Sequence, residues 1–371
     1  MAIYIVRRTI QGLIVLLAAT FLIYSIFIIT PGGPRDQIQD MRTQGAASGR
    51  PVSERLIQEV IKRYKLDSPY PVNYLRWLFD PMDTQELDRN DNTRYISKGV
   101  DVNILGLEIK GSGVLTLDFG TSIQVAKGDK SLDLVMSRLP NTVALTLSSL
   151  LLSIIIALPI GIISAVRQYS RLDYAVTTFS FFGLSMPTFW MGLMLIVFAG
   201  VLAKQLNQNG WSWMPYFPTG FAYDIDQENN LINRIYHLVL PITVLSFVNI
   251  AQYSRYVRAS MLEVLRQDYV RTAWAKGLAQ RAVILRHALR NALIPVITVV
   301  TLSLPFLFSG AIATETIFSY PGMGQLYFTA VTYVDLPVAM TFLAIITTMI
   351  IVSNILADVL YAVADPRIHY S

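Results

Sequence analysis

Six stretches of about twenty residues each carry no Asp, Glu, Lys, Arg or His, and this constrains the chain more than any other feature. About 20 apolar residues are needed to cross roughly 30 Å of hydrocarbon as a helix. In lipid only a helix or a closed barrel satisfies its own backbone. The stretches run from Thr9 to Thr30, Asn141 to Ile163, Tyr174 to Leu202, Leu238 to Tyr253, Ala292 to Ala313 and Pro337 to Ala357. The fourth is the shortest and places Pro241 in a first turn, where proline is tolerated. Composition agrees, since 53% of the residues are hydrophobic and 15% charged, against about 25% charged in soluble domains. An integral membrane protein is expected.

Arg7 and Arg8 precede the first stretch, as in a secretory signal, but the stretch is longer than a signal's apolar region and no small-x-small cleavage site follows. It reads as a retained helix. Six crossings place both termini on one side, and the basic residues select which. The N-terminal side holds 13 basic and five acidic residues, and the opposite side 17 and 20. With net charges of +8 and −3, both termini are expected in the cytoplasm. The chain then divides into residues 1–30, an extracytoplasmic segment 31–138, and a five-helix part 139–371 with a long cytoplasmic connection at 254–291.

The extracytoplasmic segment is polar, with 15 basic and 15 acidic residues. Ser53 to Tyr64 places Leu56, Ile57, Val60, Ile61 and Tyr64 at helical spacing behind a candidate Ser cap. Asp83 to Lys110 reads as loop or hairpin, alternation over Val100 to Ile109 points to strands, and Gly111 to Gly113 supplies a turn. A mixed α/β segment between the first two membrane helices is therefore expected. No internal repeat appears, and the halves lack the inverted similarity of many secondary transporters.

Charges at mid-bilayer usually mark proton relays, ion sites or voltage sensors. Their absence weighs against an ion-coupled carrier or channel that works alone. A pathway would be lined by groups such as Thr142, Thr146 and Ser149, or Ser185; the same residues also serve simply to pack helices. With no cysteine and three scattered histidines, thiolate and zinc chemistry are left without ligands. Energy from ATP would need a phosphate loop. The dipeptide Gly-Lys does not occur, and Gly128-Asp129-Lys130-Ser131 has the wrong spacing. Gly183-Leu184-Ser185-Met186-Pro187 ends in proline instead of the glycine of a nucleophile elbow and reads as a helix break.

The segment Ser254 to Asn291 carries eight basic residues together with apolar periodicity: Val257, Met261, Val264 and Leu265 before Gly277, and Val283, Ile284, Ala288 and Leu289 after it. It reads as helix, break, helix. An interfacial helix holding anionic lipid is one reading; a docking surface projecting from Thr272 to Gly277 is the preferred one.

The motifs here are those of a known group. Arg271-Thr272-Ala273-Trp274-Ala275-Lys276-Gly277, followed by Arg286-His287-Ala288-Leu289-Arg290-Asn291-Ala292-Leu293-Ile294-Pro295, resembles the loop signature of ABC-importer inner-membrane permeases of the dipeptide/oligopeptide group. Arg271 stands where the wider family has Glu. Pro31-Gly32-Gly33-Pro34, Leu117 to Ser122, Arg138 to Thr142, Glu315 to Gly324 and Asp365-Pro366-Arg367 are similar to further motifs of that group, in the same order. The resemblance covers nearly the whole chain, with about 83–110 as an insertion.

The resemblance implies an all-α, type I importer permease of six membrane helices in the cytoplasmic membrane of a prokaryote. It implies a second, homologous permease as heterodimer partner, two ABC ATPases that bind the ATP and Mg this chain does not, and an extracytoplasmic substrate-binding protein. No nucleic-acid partner, catalytic residue, metal or cofactor of its own is implied. The coupling surface would be Arg271, Thr272, Ala273, Lys276, Gly277, Arg286, His287, Asn291 and Pro295. Peptides are the implied cargo, with oligosaccharides, nickel complexes or glutathione carried by relatives.

Overall fold

The structure, a computed structural model, describes residues 2–29, 33–47, 57–58, 61, 66–79, 85–87, 94–96, 102–104, 107–109, 117, 119–122, 124–211, 213–309 and 311–364. Among the described residues six helices are long and apolar enough to cross a membrane, at Arg7–Ile26, Ser131–Val166, Thr188–Gln208, Leu231–Leu265, Gln280–Ser303 and Leu336–Asp358. All six expected crossings are present, but their ends and breaks differ from the hydropathy reading.

In chain order, α1 is Ala2–Ile29, α2 Pro34–Ala47 and α3 Val72–Phe79. Four three-residue strands follow: β1 Gln85–Leu87 with β2 Arg94–Ile96, and β3 Val102–Ile104 with β4 Leu107–Ile109, each pair antiparallel. The paired strands Val102–Ile104 and Leu107–Ile109 fall within the stretch where the alternation suggested strands. Among the described residues the two ladders do not join, and an isolated two-stranded ladder is only marginally stable. The expected mixed α/β segment is corrected accordingly: the described residues are mostly helical, with two separate two-stranded ladders and no larger sheet among them. Most of Ser53 to Tyr64 lies outside the described residues, with 57–58 and 61 helical. Pro31, Gly32, Gly111 to Gly113, Asp118 and Asp365 to Arg367 also lie outside them.

The second crossing, α4 (Ser131–Val166), starts well before Asn141 and contains Pro140 and Pro159. The third is not the single helix expected over Tyr174 to Leu202. α5 (Arg171–Ser185) stops at Met186, and Pro187 is the extended cap of α6 (Thr188–Leu195). Proline pushes the residue before it out of the helical region, which accounts for the break. The helix runs on through a π-helical stretch, Ile196–Leu202, into α7 (Ala203–Gln208). The fourth crossing, α8 (Leu231–Leu265), is longer than the apolar count indicated. Asn230 caps it, accepting from the N–H groups of Ile232 at 3.1 Å and Asn233 at 3.3 Å. Pro241 is therefore inside the helix and not in its first turn.

The connection at 254–291 divides into several elements. Residues up to Leu265 belong to α8, and a short break precedes α9 (Asp268–Ala275). Beyond Gly277 come α10 (Gln280–Ala282), a π-helical stretch Val283–Ala288 and α11 (Leu289–Ser309). The outer elements are α12 (Ile312–Ile317) and α13 (Met323–Thr332), and the last crossing is α14 (Leu336–Ala364).

The chain forms two compact units. One comprises 9–139 and 326–348. Its core gathers Tyr24, Tyr74, Trp77, Phe119, Leu336 and Met340, and the Thr20 and Tyr74 hydroxyls lie 2.9 Å apart. The buried Asp335 carboxylate accepts from the Ser122 hydroxyl at 2.5 Å and from the N–H groups of Gln124 and Val125, each at 2.9 Å. That carboxylate fastens the loop preceding α4 to the start of α14.

The other unit comprises 1–8, 140–325 and 349–371. Ala165, Val257, Met261, Ala288, Ala292 and Val296 form one of its cores. The apolar periodicity of the 254–291 segment is thus spent on packing α8 against α4 and α11. Close approach depends on small residues. A Cβ added at Gly161 would lie 2.7 Å from the Val257 Cβ, and one at Gly183 would lie 2.8 Å from the Ala251 Cβ. In lipid, packing of this kind replaces a hydrophobic driving force between helices.

Candidate functional site

The projecting segment is built on α9. Its inner face places Val270 and Ala273, one turn apart, against Val283, with Val264 and Leu265 packed on them. Asp268 sits in the first turn, where a negative charge complements the helix dipole. The Thr272 hydroxyl donates to the Asp268 carbonyl at 2.8 Å, and the side-chain amide of Asn291 donates to the Tyr269 hydroxyl at 2.8 Å. The helix is therefore held to the chain that precedes and follows it.

Gly277 closes the segment at φ +73, with its N–H donating to the Trp274 carbonyl at 3.0 Å. A residue in this left-handed conformation is a frequent helix stop, and glycine adopts it without a Cβ penalty. A Cβ placed there would meet nothing within 4 Å. Backbone conformation, not lack of space, accounts for glycine at this position.

Of the expected coupling residues, Arg271, Thr272, Lys276, Gly277, Arg286, Asn291 and Pro295 are exposed, His287 is half-buried and Ala273 is buried. Ala273 is part of the support beneath the surface, and Pro295 lies in α11, outside the knob. The Arg271–Asp268 pair, at 3.7 Å, is fully accessible to solvent and contributes little to stability. The structure adds Tyr269, Trp274 and Leu278, large apolar side chains left exposed on a segment whose inner face is already filled. The helical period does not mark them, since Tyr269 and Trp274 flank the inward face set by Val270 and Ala273 and Leu278 lies beyond Gly277.

The candidate path residues divide. Thr142, Thr146 and Ser149 are buried within their unit. Thr146 and Ser149 donate back to carbonyls of α4, and the Ser246 hydroxyl of α8 donates to the Ser149 carbonyl at 3.1 Å. Ser185 is exposed at the break between α5 and α6.

Two buried carboxylates, neither singled out by the sequence, organise this unit. Glu315 of α12 accepts from the Thr142 hydroxyl at 2.9 Å, from the Gln325 N–H at 3.0 Å and from the Gly324 N–H. Burial pushes its pKa up, opposed by these donors. Burial and the nearby Glu315 also push the Tyr320 hydroxyl up to about 12, so it stays a donor. It donates to the Asn141 carbonyl at 3.3 Å.

Asp173, on the first turn of α5, receives Arg258 of α8 in a two-pronged contact: Nε to Oδ1 at 2.6 Å and Nη2 to Oδ2 at 2.9 Å. The Ser164 hydroxyl and the Tyr169 N–H donate to the same carboxylate at 2.5 and 2.9 Å. The Arg258 contact, with help from Ser164 and Tyr169 and against burial, holds the Asp173 carboxyl well below the usual range. The sequence offered one trace of this site, since Ser170 three residues before Asp173 is a helix-start pattern. Among the described residues no group of three or more His, Asp or Glu side chains is arranged to hold a metal ion.

Residues 157–370 match the family described as binding-protein-dependent transport system inner membrane component. The oligopeptide transport system permease protein AppB of Bacillus subtilis (strain 168) is 39% identical over 370 residues, spanning the full length of both chains. The dipeptide transport system permease protein DppB of Alkalihalophilus pseudofirmus is 34% identical over 99% of each chain. The dipeptide transport system permease protein DppB of Escherichia coli (strain K12) is 39% identical over 63% of this chain and 72% of its own. With six membrane-length helices and a family match over more than half its length, this multi-pass chain belongs to the binding-protein-dependent transport system inner membrane components.

Proposed function

We propose that the chain is one of two homologous membrane subunits of an ATP-driven importer of peptides, served by two cytoplasmic ATPases and an extracytoplasmic binding protein. The cargo is inferred from the names of the full-length relatives, two of which are oligopeptide and dipeptide permeases. The structural observation that carries the reading is the α9 knob: supported from beneath by Val270, Ala273 and Val283, closed by Gly277, and presenting Tyr269, Trp274, Lys276 and Leu278 outward. An exposed aromatic and aliphatic cluster on a rigid support fits a protein partner, because aromatic anchors dominate interfaces.

The orientation follows from the charge asymmetry, with the knob and both termini in the cytoplasm. Arg8 near the start of the chain and Asp358 near the end of α14 pair at 3.1 Å, which supports ends of the first and last crossings on one side. In this reading ATP-driven closure of the ATPases moves α9, and α8 and α11 change tilt with it. The membrane cores lack ionisable groups, so the path would be permissive and cargo selection would fall to the binding protein.

The test is co-purification of the chain from its native membrane with its partners, followed by site-directed cross-linking from Gln280→Cys beside the knob. The chain contains no cysteine of its own, so the label is unambiguous. An ATPase and a second six-helix subunit should co-purify, and the cross-link should reach the ATPase. A chain that runs alone and transports by itself would overturn the reading.

A further inference from the structure

One carboxylate ties three pieces of backbone to α8. Asp173 stands on the first turn of α5, accepts from Ser164 on the last turns of α4, from the Tyr169 N–H in the connection between them, and from both prongs of Arg258 on α8. Tyr169 is held at φ +63, so the connection is a fixed tight turn. The Asp173 side chain is 3% exposed and that of Arg258 26%.

Buried ion pairs are weak evidence for stability, because desolvation offsets much of their attraction. Their better-attested use is to fix one element against another in a single register. A planar guanidinium gripping a carboxylate with two bonds resists sliding and rotation. Other contacts of α8 with α4 and α5 include small-residue approaches at Gly161 and Gly183, single hydrogen bonds at Ser246, a 3.3 Å contact between Ser180 and Ser254, and ring contacts of Phe247 with Phe179 and Phe182; none of these is a two-pronged grip.

Arg258 also stands on the same uninterrupted helix as the support of the knob. Leu265, where α8 ends, lies seven positions further on, and at 1.5 Å per residue this is a rigid arm of about 10 Å. Leu265 packs on the Val270, Ala273 and Val283 core. A displacement of α9 therefore reaches Arg258 through stiff structure.

We propose that Arg258 and Asp173 are positioning residues that make the α4–α5 hairpin move as one body with α8 and the α9 knob, so that ATPase movement is passed to α4 and α5 and not only to α8 and α11. The proposal rests on the knob being the ATPase contact.

The experiment uses the assembled complex with its ATPases in lipid, carrying spin labels at Arg167→Cys in the connection and Gln280→Cys beside the knob. In the otherwise unaltered complex the distance distribution should be narrow and the same without nucleotide and after trapping with ATP and vanadate. With Asp173→Asn or Arg258→Met the peak should shift or broaden on trapping. Arg258→Lys keeps the charge and loses the fork, so it should assemble and give an intermediate shift. Asp173→Glu should restore much of the fixed distance. A purely structural role predicts a lower yield of complex with an unmoved peak in whatever assembles. A peak that moves on trapping without any of these substitutions, or one that stays fixed in Arg258→Lys and Arg258→Met, overturns the proposal. Failure of the underlying reading is separately visible as absence of the cross-link from Gln280→Cys to the ATPase.

Discussion

The Thr142 hydroxyl donates to the Glu315 carboxylate at 2.9 Å while accepting the Met323 N–H at 2.7 Å, so one side chain of α4 is both donor to α12 and cap for α13. Glu315 takes the next two N–H groups, of Gly324 and Gln325. The free amides that open α13 are thus satisfied by side chains remote in sequence, as helix starts require. Thr142→Val should leave two buried groups short of a partner, at about 1–3 kcal/mol each, and Thr142→Ser should restore most of the loss. Thermal unfolding of the purified complex should rank them wild type, Ser, Val. Gly322→Ala should behave like the Val variant, because its Cβ would lie 2.3 Å from the Glu315 carboxyl carbon.

Close helix approach predicts a rescue. Gly183→Ala places a methyl 2.8 Å from the Ala251 Cβ, and overpacking of this kind costs about 1–3 kcal/mol. Ala251→Gly in the same chain should recover most of the apparent melting temperature. Gly161→Ala should resist rescue by Val257→Ala, since the Ser254 carbonyl at 2.8 Å also blocks it.

At Gly277 the order of substitutions should follow backbone preference and not size. With φ +73 and open space around the position, a non-glycine residue pays about 1–2 kcal/mol for the left-handed conformation, and Asn enters it more readily than β-branched residues. Cross-linking of the knob to the ATPase should therefore fall in the order Gly, Asn, Ala, Val. Gly277→Asp should allow partial assembly while uncoupling ATP hydrolysis from uptake. An uptake assay on reconstituted complex reads this directly, and wild-type uptake would contradict it.

Asp173 sets an acid limb. Its folded pKa lies below the ordinary 3.8, chiefly through Arg258. Between the two values the unfolded chain binds the proton and the folded one does not, so stability rises with pH there. The contribution is full above about the ordinary carboxylate value and is lost as pH falls below it. Unfolding profiles at graded pH should show Asp173→Asn less stable than wild type at neutrality, with the gap closing as the medium is acidified below that value.

The crossings were legible because apolar runs of membrane length have few alternatives, and the helix stop at Gly277 because a glycine break is a local feature. Helix ends were not legible. α8 extends through polar residues on both sides of its apolar part, held by the Asn230 cap at one end and by the Val257 and Met261 packing at the other. Pro187 announced its break, whereas Pro241 did not announce that it lies inside a helix. Thr142, Thr146 and Ser149 read as path or packing alike, and the contacts that distinguish them come from α12, α13 and α8. Glu315, Asp173 and Arg258 went unnoticed for the same reason. The Thr142 partner of Glu315 and the Arg258 partner of Asp173 are 173 and 85 positions away in the chain.

Val283 and Ala288 are both fully buried although five positions apart. In an ordinary α-helix that spacing would point them roughly 140° away from each other. The π-helical stretch between them absorbs the difference, so one residue bulges outward without disturbing the inward row on either side. The entrance to α11 is therefore a phase adjuster. It lets Val283 stay in the core beneath the knob while Ala288 stays in the core between the membrane helices.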